Sequence, residues 1–300
     1  MLNILYKVVT PWAKSNKVQL IINRTMGRIA NYIYPVYCSC YHQIKKNRID
    51  AENLCKNRVI ISLTSFPERI DKVYLCINSL LRQSVGANKI ILWLAKSQFP
   101  DGKGIPEKLL KLKSSKFEIR FCQDLKSYKK IFYTAQEYQK DIIITVDDDT
   151  LYPEDWLENL IKTYKKYPNK VICYRAHRII IKNNEIDSYA NWIGLSPDEK
   201  GPDRMLVPIG VGGVLYPPEY FNKVVFDYDL IKKLCPTADD LWLKIIGLKN
   251  GVDAVKVFPN SKEWFTIRSS QKKSLMKVNV GKNLNDVSIK NLVKYYKIKI

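Results

Sequence analysis

The sequence predicts an α/β fold: a mostly parallel sheet flanked by helices, with a basic helical extension ahead of it. Two patterns carry that expectation. From Arg58 onward, short runs of β-branched residues alternate with stretches whose apolar residues recur at helical spacing. Residues 1–54 differ in composition, with eight Lys/Arg against Asp50 and Glu52. A chain of 300 residues with 46% apolar content can bury a sizeable core, and its 26% charged fraction is that of an ordinary globular protein.

Taken in order, residues 1–54 form one unit in which basic residues are interleaved with Tyr6, Trp12, Tyr32, Tyr34, Tyr37 and Tyr41. That mixture suits a segment lying on an anionic membrane surface, and equally a pair of helices packed on the main domain. A central unit spans 55–271, and a basic polar tail spans 272–300. Val59-Ile60-Ile61-Ser62-Leu63 reads as a strand buried on both faces. Ser65-Phe66-Pro67-Glu68 then has capping-box spacing, and Val73, Cys76, Ile77 and Leu80 mark the buried stripe of the helix that follows. Further strands are expected at 89–94, 117–121 and 142–146. A helix over 154–166 should bury Leu157, Leu160, Ile161 and Tyr164 and stop before Pro168. Residues 171–181 read as one long strand ending at an Asn183-Asn184 turn. A buried helix is expected at 239–249 and a strand at 252–257. Strands separated by helices imply right-handed βαβ units and hence the parallel sheet.

Charge is the least ordinary property. Fifty Lys+Arg against 29 Asp+Glu give +21, a field that attracts diphosphates, anionic lipid or nucleic acid, although no nucleic-acid motif accompanies it. Seven scattered cysteines without a C-x-x-C, and only two histidines, argue against a Cys/His zinc site and fit reduced thiols in a cytoplasm. No apolar run is long enough to span a bilayer, and no signal peptide is evident, so the expected location is the cytoplasm, at most peripheral on the inner membrane face.

The chemistry concentrates where the strand at 142–146 ends in Asp147-Asp148-Asp149. Ligands of open α/β sheets sit at strand carboxyl ends, and adjacent acids repel one another unless a cation compensates. Alternate residues of an extended chain share a side, so Asp147 and Asp149 are the expected ligands of one magnesium or manganese ion. The bland alternative is a solvated loop in which Asp149 or Thr150 caps the next helix. Asp239-Asp240 is a second acidic pair; Thr237 to Asp240 also has capping-box spacing. Gly210, Gly212 and Gly213 suit either a tight turn or a backbone surface against which a sugar lies.

The order of these segments (the 59–63 strand, the Asp triplet, Gly212-Gly213-Val-Leu-Tyr-Pro-Pro218 and Ala238-Asp239-Asp240-Leu-Trp-Leu243) resembles the GT-A-fold, Rossmann-like glycosyltransferases. More narrowly, it is similar to bacterial enzymes that build capsular or lipopolysaccharide glycans. The resemblance spans about 58–290 and implies a nucleoside-diphosphate sugar donor, a divalent cation on the D-x-D motif, and a glycan or lipid-linked acceptor. It implies Thr64, Ser65 and Arg69 as nucleotide contacts, Asp124 as the base-reading acid, and Lys129 or Lys130 at the diphosphate. Asp147 and Asp148 fall on the donor side, with the metal on Asp149 and Asp147. Asp240, with Asp239 beside it, takes the place of the general base. Gly212, Gly213, Tyr216 and Trp264 fall on the acceptor side. Some members add a late histidine to the metal; none follows His177 here, and Asn285-Asp286 is a substitute in that position.

Three rivals remain. A haloacid-dehalogenase-like phosphatase needs Thr or Val where Leu151 stands. A sugar nucleotidyltransferase on a similar fold would release diphosphate instead of a nucleoside diphosphate. A membrane-surface adaptor would have no use for the acidic clusters.

Overall fold

The computed structural model describes residues 1–9, 16–40, 49–218, 220–221, 227–261, 263–268 and 284–298. Among the described residues, helices α1 (Leu2–Lys7) and α2 (Lys17–Cys40) and a short helical segment at Ala51–Cys55 precede the sheet. The first half continues with β1 (Val59–Thr64), α3 (Pro67–Leu81), β2 (Lys89–Ala95), β3 (Phe117–Cys122), α4 (Lys129–Glu137), β4 (Ile142–Thr145), β5 (Thr150–Leu151) and α5 (Trp156–Lys166). The second half adds β6 (Val171–Cys173), β7 (Ala176–Arg178), β8 (Leu206–Pro208), β9 (Val214–Tyr216), α6 (Asp239–Lys249), β10 (Ala254–Lys256), β11 (Phe265–Thr266) and α7 (Leu284–Tyr296).

Seven strands form the central sheet in the order β10-β6-β9-β4-β1-β2-β3. β1 runs parallel to β2 and β4, β3 runs parallel to β2, and β9 inserts antiparallel between β4 and β6. The expected mostly parallel α/β sheet is therefore the one that forms. Its buried strands read as continuous apolar runs because both faces are covered. Val59, Ile61, Leu63, Ile142 and Ile144 face a core shared with α3, α5 and the N-terminal helices; Ile60, Ile91, Trp93 and Ile143 face α4 and α6. The buried Ser62 hydroxyl of β1 is satisfied, since Ser62 Oγ and Thr134 Oγ1 lie 2.7 Å apart and Trp93 Nε1 donates to the same Thr134.

The predicted buried stripes of α3 and α5 lie inward. Three capping expectations do not hold. Phe66 is the N-cap of α3, with Pro67 in the first turn, and the Ser65 hydroxyl turns to Asp148 instead. Ala238 caps α6 without a side-chain bond, and the residue ahead of α5 is Asp155, so neither Asp149 nor Thr150 caps it. The 171–181 run is also not one strand. After Cys173 the chain leaves the sheet, β7 pairs with β8 in a separate ladder, and a small hairpin turns at Asn183 (φ 51°) and Asn184 (φ 62°). Hydrophobic alternation marks each piece but not the change of partner.

Of the two readings of the extension, packing on the domain is directly visible. The buried Tyr6 hydroxyl donates to Leu151 O (2.6 Å) and accepts from Phe265 N (2.8 Å), tying α1 to both β5 and β11. Its ring stacks on Phe265 at 4.1 Å. Leu2, Ala30 and Tyr34 join the same core as the sheet. Trp12, Tyr41 and residues 272–283 of the tail lie outside the described residues; the tail's helix α7 packs on α6, with Tyr296 and Trp242 rings 6.0 Å apart. The sheet geometry decides where chemistry can gather. The carboxyl ends of β1, β2, β3, β4 and β6, and the amino end of β9 with its glycines, open on one edge.

Candidate active site

At that edge the chain leaves β4, passes through the three acids and returns as β5, which pairs antiparallel with β11. Ile267 N donates to Asp149 O (2.7 Å), and Asp147 N donates to the Tyr152 hydroxyl (3.1 Å), so the backbone of the turn is held at both ends. The side chains of Asp147 and Asp148 consequently go to different partners. Asp148 points inward, accepting from Ser65 Oγ (2.5 Å) and Arg69 Nη1 (2.7 Å). Burial raises its pKa, only partly countered by Arg69 and by the Ser65 hydrogen bond. Arg69 also reaches Asp149 at 3.1 Å. Asp147 turns the other way, 3.2 Å from Lys130 Nζ.

Lys130 joins the two acidic segments. Its ammonium lies 3.2 Å from Asp147 and 3.2 Å from Asp239, although residues 147 and 239 are far apart in sequence. Burial opposes its charge, but Asp239, Asp147 and Asp240 outweigh that and hold its pKa well above the lysine norm. Asp240 accepts from Gly210 N (3.2 Å). Its own pKa is pushed up to about 7 by burial and then by Asp239, with Lys130 pulling the other way. A carboxyl poised near neutrality is what general-base chemistry requires. Gly210 sits in the middle: a Cβ there would lie 3.1 Å from Lys130 Nζ, 3.4 Å from Asp147 Oδ1 and 3.5 Å from Asp240 Oδ1. Any side chain at 210 would fill the space those groups face.

The other expected site residues fall into two sets. Thr64 is at the same edge but donates to Trp93 O (2.8 Å). Asp124 follows β3, three strands from β4 and so about 14 Å across the sheet. It accepts from Lys129 Nζ (2.5 Å) and Lys126 N (3.0 Å); burial raises its pKa, but these contacts prevail and hold it below the usual carboxylate value. On the acceptor side the geometry corrects the expectation. Tyr216 is a β9 core residue, 3% exposed, between Tyr220 and Phe221, and Trp264 is 5% exposed. A buried ring offers a sugar no face. Gly212 and Gly213, at φ 94° and 91°, make room for indoles: a Cβ on Gly212 would meet Trp264 at 2.9 Å, and one on Gly213 would meet Trp156 at 2.6 Å. Trp156 Nε1 also donates to Gly212 O. Asp286 is engaged elsewhere, accepting from Tyr189 N (2.7 Å).

One residue that sequence reasoning missed lies near this edge. Arg175, two positions beyond β6, is electrostatically coupled to Glu263, Tyr6 and Asp147, and burial pushes its pKa below the arginine norm. Recognising that β6 ends at Cys173 would have marked it, because an arginine just past a strand's carboxyl end is where this sheet presents ligand contacts.

The described residues contain no group of three or more His, Cys, Asp or Glu arranged to hold a metal by themselves. A magnesium-type site needs fewer, since that ion is held by one or two carboxylates plus substrate phosphates and water. The donor set fits on that basis. Among the described residues, Asp147, Asp148, Asp149, Asp239 and Asp240 face Arg69, Lys130 and Arg175, so acids outnumber bases at this edge and offer carboxylate oxygens to a cation.

Residues 64–214 match the model of glycosyl transferase family 2, half of the chain and the half that runs from the end of β1 through the acid triplet to the glycines. The chain belongs to glycosyl transferase family 2. Asp239 and Asp240 lie beyond the matched segment of this family 2 chain, so their membership of the site rests on Lys130 and Gly210. Among solved structures, it is similar to glucosyl-3-phosphoglycerate synthase from Mycobacterium tuberculosis, described in complex with Mn2+, uridine diphosphate and phosphoglyceric acid, at 9% identity over 84% of both chains and a TM-score of 0.46. It is also similar to the inositol-1-phosphate CTP transferase of T. maritima, at 13% identity over 78% of this chain and 96% of that one, with a TM-score of 0.41. No curated protein sequence matches it.

Proposed function

We propose that this chain transfers a glycosyl group from a nucleoside-diphosphate sugar to a hydroxyl of a glycan or lipid-linked acceptor, with a divalent cation at Asp147 and Asp149. The observation that carries this reading is the shared ammonium: Lys130 bridges the acid triplet and the Asp239-Asp240 pair around the space above Gly210. Donor-side and acceptor-side acids within reach of one lysine suit a reaction in which a leaving group departs on one side while a proton is taken on the other.

In that scheme Asp147 and Asp149 hold the cation, which when bound supplies Lewis-acid stabilisation of the charge on the departing diphosphate. Asp148 positions the loop by fixing Ser65 and Arg69. Arg69 neutralises negative charge near the nucleotide. Asp240 accepts the acceptor hydroxyl's proton as the oxygen bonds to the anomeric carbon and the bond to the nucleoside diphosphate breaks. Lys130 keeps Asp239 paired, so that of the two acids Asp240 is the one free to exchange a proton. The direct test is a donor screen with several nucleotide sugars, with and without manganese. Metal-dependent release of a nucleoside diphosphate is expected. Release of inorganic diphosphate, with a nucleotide transferred to a sugar phosphate, would sink the reading in favour of a nucleotidyltransferase.

The membrane role of the extension is proposed on the surface of α2. Among the described residues, no helix is long and apolar enough to cross a membrane. The outer face of α2 nevertheless exposes Val18, Ile21, Tyr32 and Val36 beside Lys17, Arg24 and Arg28, an apolar stripe edged with positive charge. Ile21→Glu with Val36→Glu should reduce co-sedimentation with phosphatidylglycerol vesicles by about tenfold or more, with turnover on a soluble acceptor unchanged. Undiminished vesicle binding would remove the membrane role.

A further inference from the structure

Between α2 and β11 lies a cavity of about 270 Å³ that the donor site does not use. Three guanidinium groups, Arg24, Arg28 and Arg268, line it against one carboxylate, Glu263. Both walls are fixed. Asn31 Nδ2 donates to Thr266 O (3.0 Å) and its Oδ1 accepts from Arg268 N (2.7 Å), stapling α2 to the segment beyond β11. On the other side β11 is paired with β5, and Ile267 N holds the carbonyl of Asp149 itself. Trp264, which also lines the cavity, packs on Gly212, two residues from Gly210. The cavity wall is therefore tied, through the β5–β11 ladder and Ile267, to the backbone of the acid triplet.

The helix side has its own pattern. Lys17, Arg24 and Arg28 recur at intervals of seven and four, so they form one row along α2. That row separates the exposed stripe of Val18, Ile21, Tyr32 and Val36 from the cavity mouth. Guanidinium forks match phosphate oxygens two at a time. The volume lies just below the ~300–1,000 Å³ range of sites for drug-sized ligands, which suits a headgroup or a single sugar phosphate rather than a long glycan.

We propose that this cavity is an anion site, which takes a phosphate group between Arg28 and Arg268 while the donor occupies the acid edge. The site stands apart from the transferase reading and can be measured without turnover. The full-length protein, saturated with magnesium and uridine diphosphate to cover the donor site, is titrated with dihexanoyl phosphatidic acid and, separately, with inorganic phosphate, following the heat of binding by isothermal titration calorimetry. Saturable binding is expected, weakened at least about tenfold in Arg28→Gln/Arg268→Gln and largely restored in Arg28→Lys/Arg268→Lys. Preference for the short-chain lipid identifies a lipid phosphate, and equal binding of inorganic phosphate identifies a soluble one; either supports the site. Wild-type affinity in the Gln variant, or no binding by the wild type, overturns it. Absence of any magnesium-dependent uridine diphosphate binding, with the arginine-dependent phosphate response intact, would instead remove the transferase reading and leave the anion site standing.

Discussion

Asp240→Asn should leave metal-dependent donor binding within about twofold of wild type while lowering turnover by roughly 10²–10⁴, the usual contribution of a positioned general base. The substitution keeps the shape and an oxygen that can accept from Gly210 N, so the loop should stay in place. What is lost is a basic group able to take a proton. Because burial and Asp239 raise the Asp240 pKa to about 7, the wild-type rate should climb with pH through neutrality as a single ionisation, and that limb should vanish in the variant. Stability should move oppositely. The folded protein holds this proton more tightly than the unfolded chain does, so the stabilisation is fully present at acid pH and is lost as pH rises through about 7. Asn removes that penalty, and the variant should melt no lower than wild type at pH 8. A variant that turns over at the wild-type rate, or one that loses donor affinity along with rate, would deny Asp240 its role.

Asp149→Ala is expected to be more severe at the donor. Loss of one of the two proposed metal carboxylates should cut transfer about 10³-fold or more and abolish the thermal stabilisation that manganese plus nucleoside diphosphate gives the wild type. The fold should survive, because Asp148 retains both Ser65 and Arg69 and the Asp149 carbonyl still accepts from Ile267. Undiminished manganese-dependent stabilisation in this variant would move the cation elsewhere.

Much of this was legible beforehand for physical reasons. Strands such as 59–64 and 142–145 are buried on both faces and announce themselves as unbroken apolar runs, and the acids placed directly after one of them mark the sheet's carboxyl edge. What the sequence concealed depends on partners distant along the chain. Ser65 has the spacing of a cap, but a buried carboxylate 83 residues away is the stronger acceptor. Trp264 and Tyr216 have the chemistry of sugar platforms, and only the packing of Gly212 and Phe221 against them reveals that they are interior. The resemblance puts Lys129 or Lys130 at the diphosphate, whereas the fold makes Lys130 the link between two acidic segments.

The Tyr6 hydroxyl has a practical implication for anyone trimming this protein. Its phenol closes the gap between the strand leaving the acid triplet and the strand that braces it, so the first helix serves as a rear buttress for the reaction centre. A shortened version that begins at the sheet would discard that support, and a drop in its activity would report on a loosened floor beneath the aspartates rather than on any missing contact with lipid.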